Sequence, residues 1–88
     1  MKDTEIIDLY WARDQQAIAE TQKAYGKYCY SIAWHILFNK EDSDECVNDT
    51  WLRAWNAIPP KRPGRLEVFL GTITRNLSLD RWKERHTM

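Results

Sequence analysis

Glycine and proline are scarce in this chain, three of each in 88 residues, and four of the six fall between Pro59 and Gly64. With so few obligatory turns, a loop-rich fold is excluded. Long β-branched alternation is absent too, so nothing reads as a strand. Two cysteines, Cys29 and Cys46, cannot make a disulfide framework, and both sit inside helical patterns where a thiol serves as a small apolar side chain. No apolar run approaches the ~18 residues a membrane-spanning helix needs. Met1 to Glu5 lacks the basic start and apolar stretch of a secretion signal, which points to a cytoplasmic chain. Internal repeats and low-complexity tracts are missing as well.

Signatures of chemistry are equally sparse. No His-Glu-x-x-His occurs, and Cys29, His35, Cys46 and His86 are too scattered for a zinc site. Glu41, Asp42, Asp44 and Asp49 lack the glycine and closing glutamate of a calcium loop. No nucleophile stands with a base. The reading is therefore a non-enzyme with no metal and no cofactor.

What the chain does have is apolar mass and aromatics. Hydrophobic types make up 43% of it, including five Trp, four Tyr and two Phe. That is enough for one core in one small domain spanning 1–88. The periodicity predicts an all-α compact bundle of about four helices, over roughly 3–12, 14–38, 42–58 and 65–85. Asp3 is a candidate N-cap for the first, Asn39 and Lys40 close the second, and Pro59-Pro60 stops the third. The expected core holds Ile32, Ile36, Val47, Trp51, Trp55, Phe69, Leu70, Ile73 and Leu77. Asp80 falls on that side of the last helix, where burial demands a partner such as Arg53.

Net charge is zero, yet its distribution is lopsided. Residues 1–60 carry six Lys/Arg against ten Asp/Glu, and residues 61–88 carry seven against three. An acidic part and a basic part can serve different partners. On the third helix, Glu45, Asn48, Asp49 and Leu52 point away from the core. Acids near a helix N-terminus are favourable without any partner, but an outward Leu52 among acids and amides reads as a docking face for a basic protein surface. On the fourth helix, Val68, Thr72, Arg75, Leu79 and Trp82 share the outward flank, next to the basic loop Pro59–Gly64. Two readings stand here. One is a packing face for another domain. The other is a surface that holds single-stranded nucleic acid with cations and flat rings.

The stretches EDSDECVNDTWLRAWNAIPP (41–60) and FLGTITRNLSLDRW (69–82) resemble the second conserved region of bacterial RNA polymerase sigma factors, sigma-seventy family, closest to the extracytoplasmic-function (ECF) type. The resemblance extends over nearly the whole chain. It implies that the helix at Asp44–Trp55 docks on the β′ coiled coil of core polymerase through Glu45, Asn48, Asp49 and Leu52. It implies that the helix at Leu66–Arg85 and its preceding loop recognise and melt the promoter −10 element, capturing a base flipped from the non-template strand. Arg62, Arg65, Arg75 and Asn76 fit those positions by type, and Arg81, Trp82, Lys83 and Arg85 fit the upstream edge. An anti-sigma factor is a further partner the resemblance allows. Phe38 replaces a common glycine, and Thr21-Gln22 a common apolar stretch. The −35-reading domain of such factors lies outside this sequence, which reads either as a fragment cut at a domain boundary, the favoured reading, or as a stand-alone one-domain relative. The alternative is a helical regulatory or protein-interaction domain with a sigma-like fold and no DNA role.

Overall fold

The computed structural model describes residues 1–86, two short of the expected domain span of 1–88. Among them lie four helices and no strand: α1 (Asp3–Trp11), α2 (Gln16–Leu37), α3 (Lys40–Ala57) and α4 (Leu66–His86). Helices α2, α3 and α4 pack on one another, and α1 packs on α2. The all-α bundle is thus observed, with extents of 43 × 22 × 20 Å.

Local chemistry explains the boundaries and corrects two of them. Helix α3 begins at Lys40, two residues before the expected start, because Asn39 serves it rather than α2. The Asn39 side chain accepts from the Asp42 amide at 2.9 Å, satisfying one of the orphan donors of the first turn. Helix α1 is entered from Lys2, whose amide donates to the Glu5 carboxylate at 3.2 Å. Asp3 is therefore not its cap. Its carboxylate instead accepts from the Tyr25 hydroxyl at 2.6 Å, tying α1 to α2. Burial, and then that bond, push the Tyr25 phenol up to about 12.

Phe38 ends α2 in the left-handed region, with φ 50° and ψ 36°. A side chain costs roughly 1–2 kcal/mol there, which glycine avoids. The ring is 69% exposed and meets the edge of Trp34. Phe38→Gly is expected to leave stability unchanged or raise it by up to about 1 kcal/mol, because relief of strain offsets the lost ring contact and the added freedom of the unfolded chain. A thermal melt checks this, and a loss above about 1 kcal/mol would give the ring a packing role.

The buried seam is made of smaller residues than the periodicity suggests. Ala17, Cys29, Ala33, Ala54, Gly71, Thr74 and Ser78 are fully or nearly fully buried where α2, α3 and α4 meet. Small side chains let the helix backbones approach closely, so the larger apolar residues end up flanking the seam. Val47, Trp51 and Leu70 are core as expected, whereas Ile32, Ile36, Trp55, Phe69, Ile73 and Leu77 are only half-buried. The large buried side chains cluster at the other end: Ile6, Tyr10, Ile58, Leu66 and Leu70.

Buried hydroxyls in the seam are satisfied. Thr50 and Thr74 bond each other at 2.8 Å, and each hydroxyl also lies within hydrogen-bond reach of the carbonyl four residues back in its own helix. The Tyr10 hydroxyl meets Thr21 at 2.7 Å, which accounts for Thr21 at a place where an apolar residue would be ordinary. Both cysteines are free and buried. Burial pushes both thiols up, away from the reactive thiolate.

Candidate nucleic-acid and partner-docking surfaces

The outer face of α3 is built by the same periodicity that buries Val47, Thr50, Trp51 and Ala54. Glu45, Asn48, Asp49 and Leu52 are all exposed, and Leu52 is 58% exposed. An apolar side chain of that size is mostly in water, on a face that also carries Glu45 and Asp49. Asn48 also lines a groove between α2 and α3 with Lys27, Tyr30 and Asp44.

On α4, Thr72, Arg75, Asn76 and Lys83 are exposed, as are Val68 and Trp82 at 47% and 44%. Leu79 is half-buried beside them. The Trp82 indole is stacked on the His86 ring at 4.1 Å, and His86 Nδ1 donates to the Trp82 carbonyl at 2.8 Å. One face of the indole is thereby covered while the ring stays accessible. Arg62 and Arg65 are exposed in the loop and at its end.

The buried acid is Asp42, at 4% exposure, and not Asp80, which is exposed and forms no ion pair with Arg53 among the described residues. The true seam of α4 runs through Leu66, Leu70, Thr74 and Ser78, turned around the helix from the expected stripe, and this carries Asp80 out to solvent. Arg81 lies 3.2 Å from Asp42 and also pairs with Glu45, while Arg85 lies 2.7 Å from Asp42. The hydrogen bond from Arg81 to Glu45 pushes the guanidinium further up. Arg81 and Arg85 thus clamp the C-terminal turns of α4 to the start of α3. Their charge is largely matched within the fold, and Glu45 is shared between this clamp and the α3 face. The more open cationic groups are Arg65 just before α4 and Arg75 in its middle, with Lys83 exposed in its last turn.

Periodicity gives no sign of a further connection, between α1 and the loop. Arg13, with φ 54°, donates to the carbonyls of Trp55 at 2.9 Å and Ile58 at 3.0 Å, and its guanidinium lies 3.7 Å over the Trp55 ring. These are the orphan carbonyls at the end of α3. Trp11 Nε1 donates to the Lys61 carbonyl at 3.3 Å, and Arg62 pairs with Asp8 at 3.1 Å. The excess of polar and aromatic residues at the end of α1 is a hint of such contacts, but their partners lie far along the chain.

Comparison with known proteins now places the chain. Residues 22–87 match the family Sigma-70 region 2. The chain belongs to that family and is therefore a sigma factor domain, not an enzyme. A similar protein is the ECF RNA polymerase sigma factor SigE of Mycolicibacterium smegmatis, 27% identical over 66 residues. The match covers 75% of this chain and 26% of that relative, so the chain spans about a quarter of the relative's length. No solved structure matches. No helix among the described residues is long and apolar enough to cross a membrane.

Proposed function

We propose that this domain docks an ECF-type sigma factor on RNA polymerase and reads the promoter −10 element. The α3 face of Glu45, Asn48, Asp49 and Leu52 meets the β′ coiled coil. The loop and α4 meet the non-template strand and help to melt the duplex. Arg65, Arg75 and Lys83 contact phosphates. Arg62, Thr72 and Asn76 read the edge of a flipped base, which is extruded from the stack so that its hydrogen-bonding edge becomes accessible. Trp82 offers a ring for stacking. Arg81 and Arg85 act chiefly by fixing α4 through Asp42, and contribute field rather than free contacts. The work is cytoplasmic, where the polymerase is.

The observation that carries this reading is the exposed cation and ring flank of α4, with Arg75 and Trp82 outside and the family's helix order beneath. Fluorescence anisotropy with a single-stranded −10-like oligonucleotide tests it. Binding weakens as salt rises, because each neutralised phosphate releases a counterion. Arg75→Ala is expected to lower affinity for all sequences alike and to reduce the salt slope by about 0.7, the value for one phosphate on a single strand. Binding without salt dependence, or none at all, would favour a sigma-like regulatory domain with no DNA role.

A further inference from the structure

The loop proposed to receive the flipped base is not free in this fold. It leaves α3 at Ile58, whose carbonyl is held by Arg13. The Lys61 amide still donates to the Ala57 carbonyl at 3.0 Å. The Lys61 carbonyl is then held by the Trp11 indole. At the next residue, the Arg62 guanidinium pairs with Asp8 and lies 5.0 Å over the Trp11 ring. Two consecutive loop residues are therefore held by side chains of a single helical turn, from a helix 50 and 54 residues earlier in the chain.

Stability alone is a poor reason for this arrangement. Asp8, Trp11 and Arg62 are all exposed, and exposed pairs of this kind add little to folding. What the contacts do supply is orientation. A guanidinium lying over an indole and tied at one nitrogen is biased toward one orientation, with donors left over for a base edge or a phosphate. A loop ordered before binding also avoids the entropy of ordering it at the moment of binding.

We propose that Asp8 and Trp11 are positioning residues for base selection: the last turns of α1 form a platform that presets Lys61 and Arg62 to receive the flipped nucleotide. The inference rests on the proposed role of the loop in −10 recognition. Neither residue need touch DNA. The discrimination made by the loop should depend on them, while the phosphate contacts of α4 should not.

The test uses the full chain with Asp8→Asn, which breaks the ion pair, and Trp11→Phe, which keeps a ring but removes the indole donor. Lys40→Ala, which breaks an exposed pair with Asp44 elsewhere on the surface, is the control. Two measurements are made. Backbone amide relaxation in the free protein reads the order of the loop at Lys61, Arg62, Gly64 and Arg65. Anisotropy on a set of non-template single strands, differing only at the captured base, reads discrimination. A bidentate hydrogen-bonded base contact gives about 5- to 160-fold preference. In the Asp8→Asn and Trp11→Phe double variant that preference is expected to fall below about threefold, with loosened loop amides, unchanged salt slope and an unchanged control. If the wild type discriminates and the double variant discriminates equally, or its loop stays as ordered as the wild type's, the platform is overturned. If the wild type itself binds all four bases alike, the base-reading role of the loop fails first, whatever the variants do.

Discussion

Leu70→Ala is expected to destabilise the domain by about 3 kcal/mol, as truncations of fully buried leucines do. Leu70 is completely buried in the cluster joining α4 to α1 and the end of α3. For a chain of this size the total stability is of order 4–13 kcal/mol, so the loss is a large fraction of it. At roughly 4–8 °C per kcal/mol, the melting temperature drops by about 12–24 °C. Phe69→Ala, one position away, removes a larger side chain that is only half-buried. It is expected to cost less than Leu70→Ala despite its greater volume. Paired thermal melts decide the matter. A larger loss at Phe69 would place the seam of α4 where simple periodicity puts it and contradict the small-residue seam through Thr74 and Ser78.

The second large effect is on docking. Asp49→Lys with Leu52→Ala reverses one charge and removes the exposed apolar side chain from the α3 face. Charge reversal in an interface and loss of an apolar anchor together amount to about 2–4 kcal/mol, on the order of 30- to 1000-fold in affinity for a β′ coiled-coil fragment. Both residues are exposed and neither belongs to the core cluster, so the melting temperature should stay within a few degrees of wild type. Calorimetric titration of the folded double variant gives the answer. Affinity equal to that of wild type would move the polymerase contact to another face.

Much of this architecture is legible in the sequence because helical periodicity survives packing. The exposed faces of α3 and α4 follow directly from spacing, which alone puts Leu52, Arg75 and Trp82 on the outside. Periodicity misleads where side-chain size, not polarity, governs contact. Thr74 and Ser78 look like surface residues in sequence, yet their hydroxyls bond carbonyls of their own helix and allow close approach. Setting the stripe by the largest apolar residues turns α4 the wrong way and misassigns the buried acid. Asp42 is buried because Arg81 and Arg85 reach it from a helix some forty residues later, a pairing no local pattern reveals. The Trp11, Asp8 and Arg13 contacts are hidden for the same reason. Polar residues at the end of a short helix carry no periodic signal, and their partners are decided only by the return of the chain after α3.

Strand preference is the sharpest probe of base reading. Wild-type chain is titrated at low salt into three labelled single strands of equal length: a −10 non-template strand, its complement and a scrambled sequence of the same composition. Binding should be tightest to the non-template strand, with the advantage persisting as salt is raised, since base contacts release no counterions while phosphate contacts do. Equal affinity for all three, lost in parallel as salt rises, would contradict base reading and leave α4 and its loop as a basic surface that reads no sequence.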